Sequence, residues 1–128
     1  MGYVEAFRKL GYEIRLPRSD VSAERADGVA IAIIRQELDP RTMSFDSRVV
    51  VGWEEQRMAL QGNSRRIQHL RHSVEQLDGR VEVVLVDKKQ GGKLDGAEPW
   101  TRADSFWKIT YFEPKTGHHR IELVKQRA

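Results

Sequence analysis

Five cationic or titratable side chains lie close together in the segment QGNSRRIQHLRHSVEQLDGR, residues 61–80. They are Arg65, Arg66, His69, Arg71 and His72. Arginine stays charged at physiological pH, and its planar guanidinium donates hydrogen bonds in a fork that matches a phosphate group. A solvated helix face usually alternates acids with bases, whereas only Glu75 opposes these charges before Asp78. The cluster predicts contact with nucleic acid, and the alternative is an ordinary solvent-exposed helix face that binds nothing.

The histidines do not form a recognisable metal site. His69 and His72 can share a helix face, but His118 and His119 lie together in a distant segment. The chain has no cysteine and contains no H-E-x-x-H motif. We therefore predict neither a metal nor any other cofactor.

A second basic cluster is DKKQGGK, residues 87–93, in which three lysines surround a Gly-Gly pair. Backbone amides freed by glycine, together with ammonium groups, suit a phosphate. The spacing of a nucleotide P-loop is missing, because Leu94 follows the last lysine. The segment is predicted to be a long polar loop. Lys88, Lys89 and Lys93 are candidates for contact with a phosphate backbone, and the alternative is a solvated loop without a ligand.

Two tryptophans are candidates for stacking on bases. Trp100 lies in AEPWTRADS, where no periodic pattern buries it, and Arg102 is close by. Exposed aromatic side chains beside basic residues are used to stack the bases of single strands, and the alternative is that Trp100 packs against one end of the sheet. Trp53, at the end of a predicted strand, is the second candidate, whereas Trp107 shares an apolar face with Ile109 and is assigned to the core.

A weaker pattern is that of a metal-dependent nuclease. Asp78 followed by Asp87-Lys88-Lys89 loosely matches the acid and (D/E)-x-K arrangement in which carboxylates hold Mg²⁺ and a lysine faces the phosphate. Asp78 is better explained by the end of the preceding helix, because Asp-Gly is a typical helix stop. We keep a nuclease as the third alternative.

Length, composition and charge limit the number of domains and the kinds of partner that this protein can have. The chain has 128 residues, enough for one domain over residues 1–128, with 32% charged residues and a net charge of +3. Its isoelectric point near 9.4 is mildly basic, so the distribution of charge must decide between partners. The apolar runs at residues 29–34 and 83–86 are too short to span a bilayer, and the N-terminal segment lacks the apolar run of a secretory signal. We expect a cytoplasmic protein without a membrane partner.

Two helices are predicted. Tyr3 to Leu10 forms a short amphipathic helix, and residues 64–77 form the main helix, which ends at Asp78-Gly79. The main helix carries an apolar stripe whose members recur at helical spacing, namely Ile67, Leu70, Val74 and Leu77. With this stripe buried, the opposite face that carries Arg65, His69 and His72 points to solvent.

Apolar periodicity predicts five strands, at residues 29–34, 48–53, 80–86, 105–112 and 119–124. Residues 13–28 are a polar connector with one helical turn near Ser22. The element order excludes alternating βαβ units and predicts an α+β domain with a mostly antiparallel sheet. By size and element order alone, the sheet is comparable to a curled, PUA-like pseudobarrel.

The function that these features favour is a non-enzymatic nucleic-acid-binding module, of DNA or RNA. The arginines and lysines would hold phosphates, and a tryptophan would stack a base. The main alternative is a protein-interaction or assembly domain in which the arginines meet an acidic protein surface.

Overall fold

Runs of β-branched residues form the two central strands of the protein. The computed structural model describes residues 1–58, 61–89 and 92–126. Helix α1 is Tyr3–Lys9 and helix α2 is Gln61–Gln76. The strands are β1 Ser22–Arg25, β2 Gly28–Ile34, β3 Ser44–Asp46, β4 Arg80–Lys88, β5 Leu94–Pro99, β6 Ser105–Phe112 and β7 His119–Lys125. Short helical turns cover Arg35–Glu37, Ser47–Val49 and Glu54–Met58.

The strands form one open, seven-stranded sheet in a single α+β domain, in the order β1-β2-β4-β6-β7-β3. Strand β5 pairs with β4 beside β6, so two strands diverge from β4 on the same side. Only β2 and β4 run parallel, with Ile31 opposite Val83. The mostly antiparallel sheet is as predicted, but the described residues form seven strands rather than five, and they form an open sheet rather than a closed pseudobarrel.

Alternation along β4 divides the core into two layers. Val81, Val83 and Leu85 face the first layer, which includes Leu70 of α2. Val84 and Val86 face the second layer, which is covered by α1. Since successive side chains of a strand point to opposite faces, a nearly continuous apolar run such as RVEVVLV is what a strand buried on both sides requires.

The predicted strand at residues 48–53 is wrong. Ser47–Val49 forms a 3₁₀ turn instead, because the side chain of Asp46 accepts a hydrogen bond from the backbone N–H of Arg48 at 3.0 Å. Val49 and Val51 are 78% and 95% exposed. Preference for strands reflects packing on a pleated surface, and no neighbouring strand is available to these valines.

Three polar segments predicted to be loops or a helical turn form strands instead. Strand β1 pairs with β2, β5 pairs with β4, and β3 pairs with β7, all antiparallel. Strands β1 and β5 bury only some of their side chains, so their sequences carry little of the apolar pattern by which a strand is predicted. Pairing with an apolar neighbour, and not their own composition, puts these segments in the sheet.

Helix α2 begins three residues earlier than the prediction of residue 64, and it packs closely on the segment before β1. A Cβ at Gly62 would lie 2.0 Å from the carbonyl oxygen of Ser19. The helix ends as predicted, because Asp78 and Gly79 both adopt positive φ angles, of 56° and 75°. Among the described residues, no helix is long and apolar enough to cross a membrane.

Candidate nucleic-acid interface

The basic face of α2 does not point to solvent as predicted. The side chain of Arg65 is 19% exposed and forms an ion pair with Asp20, whose side chain is 1% exposed. Arg66 is 5% exposed, and its Nη2 donates to Oδ1 of Asn63 at 2.6 Å. Neither guanidinium is presented on the surface, so their predicted role as phosphate contacts has no support in this geometry.

The histidines of α2 are also engaged with β1. His69 is buried and shares a 2.8 Å hydrogen bond with Ser22, and this burial lowers the pKa of its imidazole. Nδ1 of His72 lies 2.8 Å from a carboxylate oxygen of Glu24. Of the five predicted residues on α2, Arg71 is the one that is exposed and forms no ion pair with a described residue.

The orientation of α2 differs from the prediction because polar partners, as well as apolar ones, bury its side chains. Leu70 is fully buried, but Val74 is 45% exposed. The buried face instead carries Asn63 and Ser73, whose hydroxyl donates to the carbonyl of Arg80 at 2.6 Å. The prediction from apolar periodicity alone therefore assigned Val74 to the buried face, where the structure has the polar residues Asn63 and Ser73 instead.

The predicted lysine loop is part of the β4–β5 hairpin. Lys89 lies 3.2 Å from Asp95 in an ion pair, and Lys88 is half-buried with its backbone N–H bound to Gln36. Lys93 is exposed. Residues 90 and 91 lie outside the described residues.

The nuclease pattern is not assembled. Asp78 and Asp87 lie at opposite ends of β4, and a nine-residue strand is roughly 25–30 Å long. Asp87 is bound by Arg35 at 2.8 Å, and Asp78 lies 3.7 Å from Lys108. Within residues 1–58, 61–89 and 92–126, no three acidic or histidine side chains are grouped to hold a metal.

Trp53 is not accessible to a base. Its side chain is 1% exposed and stacks on His118 with ring centroids 4.5 Å apart. The guanidinium carbon of Arg66 lies 5.0 Å from the ring centroid on the same tryptophan. Trp53 is therefore part of the core and does not present its ring at the surface, as the predicted stacking on a base would need.

Trp100 and Arg102 are a second pair of predicted site residues that the structure brings together, and unlike Arg66 and Trp53 they are not buried. The guanidinium carbon of Arg102 lies 4.8 Å from the centroid of the Trp100 ring. Trp100 is half-buried and held in place, because its indole N–H donates to Ser105 at 3.2 Å and its ring meets Trp107 edge-on at 5.4 Å. Its backbone N–H also donates to Val83 at 2.9 Å, so β4 fixes its position.

A groove of about 620 Å³ contains this pair and is also lined by the first residues of β4 and β6 and by the turn between β1 and β2. It contains a second cation–aromatic stack, because the guanidinium carbon of Arg80 lies 3.9 Å from the centroid of Phe106. A third such stack joins Arg25 to Tyr12, with the guanidinium carbon 4.5 Å from the ring centroid. The cationic and cation-stacked aromatic residues lining the groove are Lys9, Tyr12, Arg25, Arg80, Trp100, Arg102 and Phe106.

The groove carries excess positive charge. Its two acidic residues, Asp27 and Glu82, lie 2.9 and 3.6 Å from Arg25 and so face a cation already. Arg80 and Arg102 form no ion pair with any carboxylate of the described residues. Both guanidinium groups therefore remain available to an anion.

Two important groove residues, Arg80 and Phe106, were missed by the sequence prediction. Period-two alternation in SFWKITYF was an available signal for Phe106, because Trp107 and Ile109 take the core face and leave Phe106 on the other. Arg80 follows a Gly turn at the start of a strand, which gives no information about its aromatic neighbour.

Comparison with protein-family models, with curated proteins and with solved structures gave no significant match for this chain. Function must therefore be inferred from the residues of the groove themselves.

Proposed function

We propose that this protein is a nucleic-acid-binding module whose interface is the groove that contains Trp100 and Arg102, and not the face of α2. The observation that carries the proposal is the pair of guanidinium–aromatic stacks, Arg102 on Trp100 and Arg80 on Phe106. Neither guanidinium is neutralised by a carboxylate of the described chain. A cation held flat on an aromatic ring offers both a stacking surface and hydrogen-bond donors.

These stacks suit an unpaired nucleotide. Bases stack on aromatic rings and on the planes of arginine side chains, while the guanidinium edges donate to phosphate oxygens. Bases in a duplex are already stacked on one another and cannot insert in this way. We therefore propose single-stranded DNA or RNA as the preferred ligand, with Lys9 adding charge at the rim of the groove.

The lysines of the β4–β5 hairpin are not part of this interface. Arg80 begins β4 and Lys88 ends it, so the two lie at opposite ends of a nine-residue strand. Contact of Lys88, Lys89 or Lys93 with nucleic acid would need a second site, and Lys89 is already paired with Asp95. The proposal does not depend on these residues.

An acidic protein partner would use the same arginines, but it would not need the aromatic rings beneath them. Carboxylates bind guanidinium through its edge, whereas bases also use its flat face. The combination of two stacks in one groove favours nucleic acid over an acidic protein surface.

Anisotropy of labelled oligonucleotides tests the proposal. Single-stranded DNA and RNA of about 12 nucleotides and a duplex of the same length would be titrated at about 50 and 200 mM salt. We expect the single strands to bind more tightly than the duplex, with binding weakened at the higher salt concentration. Polyglutamate of matched charge is the competitor that distinguishes a protein partner.

Three outcomes would contradict the proposal. A dissociation constant above about 10⁻⁴ M for every oligonucleotide at low salt would mean that the protein binds nucleic acid more weakly than ordinary non-specific binders do. Equal affinity for single strands and duplex would show that base stacking contributes nothing. Displacement of the oligonucleotide by polyglutamate at equal charge concentration would favour the acidic protein partner.

A further inference from the structure

A second cavity, separate from the groove, lies beside the C-terminal half of β2 and has a volume of about 310 Å³. One wall is apolar and includes Ile31, Ile33 and Phe45. The other wall contains Trp53 and Arg66, which are almost completely buried. Pockets of this size, mostly apolar with a few polar groups, are typical of small-molecule sites.

Arg66 is the unusual member of this wall. Its one hydrogen bond to a described residue joins Nη2 to Asn63, and its buried Nε has no partner among the described residues. The indole N–H of Trp53 is also buried, and no described residue accepts a hydrogen bond from it. A buried guanidinium with most of its donors unused costs stability, since charge is tolerated inside proteins mainly when it is paired.

The acidic residues that line the cavity do not neutralise Arg66. Asp20 is paired with Arg65, and Glu37 is paired with Arg57, whose Nη1 donates to it at 2.8 Å. Each carboxylate thus already has its own arginine, so no carboxylate of the described residues compensates the charge of Arg66.

The other titratable groups facing the cavity add no negative charge. Burial lowers the pKa of His119 to about 3, so this imidazole is neutral at physiological pH, and the nearby Arg18 is a cation. Tyr3 stays neutral, because burial raises the pKa of its phenol. The ring of Trp53, 5.0 Å from the guanidinium carbon of Arg66, offsets part of the cost through its π electrons but carries no charge.

The environment of Arg66 opposes its charge. Burial lowers the pKa of its guanidinium to about 10, and the positive charge of Arg57 acts in the same direction. An anion in the cavity would reverse both effects.

We propose that this cavity binds a small organic monocarboxylate, with its carboxylate on Arg66 and its apolar body against Ile31, Ile33 and Phe45. A guanidinium matches a carboxylate in two parallel hydrogen bonds. Arg66 is the buried guanidinium of this cavity that no described carboxylate pairs with, and a monoanion neutralises it, whereas the second charge of a phosphate dianion would have only the exposed Arg18 to face. The apolar wall excludes a purely polar anion as the best ligand, because it would gain nothing from that surface.

The test compares acids with their uncharged amides on the wild-type protein. Phenylacetate and hexanoate, and phenylacetamide and hexanamide, would be titrated by calorimetry, with melting temperature as a second readout. We expect at least one acid to bind at least tenfold more tightly than its amide and to raise the melting temperature. Phenyl phosphate and acetate complete the set and should bind more weakly than that acid.

A pair of variants locates the binding. Arg66→Met removes the charge while keeping an unbranched side chain, and Arg71→Met is the matched control on the exposed face of α2. Arg66→Met should weaken binding of the acid at least tenfold, and Arg71→Met should leave it unchanged. If Arg66→Met does not fold, the comparison of acids with amides on the wild-type protein still shows whether the cavity prefers a carboxylate.

The proposal is overturned if acids and amides bind equally, if no compound of the set binds, or if phenyl phosphate binds most tightly. A folded Arg66→Met protein that binds the acid like wild type would also overturn it. None of these results bears on oligonucleotide binding, because Arg66 does not line the groove.

Discussion

Arg65 of α2 forms an ion pair with Asp20, whose carboxylate is almost completely excluded from solvent. The same carboxylate accepts a hydrogen bond from the backbone N–H of Leu16 at 2.9 Å. The backbone carbonyl of Asp20 accepts another from the hydroxyl of Tyr3 at 2.7 Å. This one residue therefore joins α2, the segment before β1 and α1, and the role of Arg65 is structural.

Arg65→Ala should destabilise the protein by about 3–5 kcal/mol, because it leaves the buried carboxylate of Asp20 without its counter-charge. This expectation reverses the one from sequence, which placed Arg65 in solvent. Urea unfolding would measure the loss. Arg71→Ala, on the same helix but exposed, should change the free energy of unfolding by less than about 0.5 kcal/mol. Equal losses for the two variants would contradict the pairing.

Leu70 and Val74 should respond very differently to truncation. Leu70→Ala should cost about 2–5 kcal/mol, because its side chain is fully buried in the first core layer. Val74→Ala should cost less than about 1 kcal/mol, since nearly half of Val74 is already exposed. Thermal and urea unfolding of both variants would check this. A large loss at Val74 would mean that α2 is rotated toward the predicted stripe.

The central strands could be predicted because each is a run of consecutive apolar residues, which indicates burial without reference to any distant part of the chain. Apolar runs at β2 and β4 and the hairpin of β6 and β7 follow from short-range pattern alone. The edge strands could not, because polar segments such as Ser22–Arg25 join the sheet through pairing with a distant strand. The valines at residues 49–51 show the converse, a strand-like composition that has no neighbour to pair with.

The site was predictable only where its residues are neighbours in the chain. Trp100 and Arg102 are two positions apart, and the sequence indicated both. Arg80 contacts Phe106 across 26 positions, through the junction at which β4 pairs with β6. The burial of Arg65 depends on Asp20, 45 positions away, which no periodicity in α2 could indicate.

Gly62→Ala should destabilise the contact between α2 and the segment before β1. An added Cβ would lie 2.0 Å from the carbonyl oxygen of Ser19, and a backbone atom cannot move aside like a flexible side chain. Alanine in an ordinary helical position is instead more stable than glycine by about 1 kcal/mol. A lower melting temperature for Gly62→Ala is therefore the expected sign. An increase in melting temperature would contradict the close approach.

Stability should fall as the pH drops below about 6.5. Burial lowers the pKa of His119 to about 3 and also lowers the pKa of His69, so the unfolded chain binds protons that the folded chain does not. Above the ordinary histidine pKa both states are neutral, and the full stability is present. Between about pH 6.5 and the folded pKa, each such histidine removes up to about 1.4 kcal/mol per pH unit.

Urea unfolding at several pH values between about 7.5 and 5 would measure this slope while most carboxylates remain ionised. His119→Gln, which keeps an amide donor near the carbonyl of Gly117, should flatten the slope and leave the part due to His69. A slope unchanged by this substitution would show that His119 is protonated in the folded protein.

The groove proposal predicts that its arginines and its tryptophan contribute in different ways. For a single strand, each lost phosphate contact should flatten the plot of log affinity against log salt by about 0.7. Arg80→Gln with Arg102→Gln should therefore weaken binding of every sequence and flatten the slope by up to about 1.4. Trp100→Ala should cost about 1–3 kcal/mol for a stacked base and leave the slope nearly unchanged.

Arg71→Gln is the matched control for these variants, because Arg71 is an exposed arginine that lies outside the groove. Binding would be measured well below the melting temperature of each protein, because Trp100 also packs on Trp107 and its loss costs stability. If Arg71→Gln flattened the salt slope and the groove variants did not, the nucleic acid would lie on α2 instead. If Trp100→Ala changed only the slope, the ring would act by placing Arg102 and not by stacking a base.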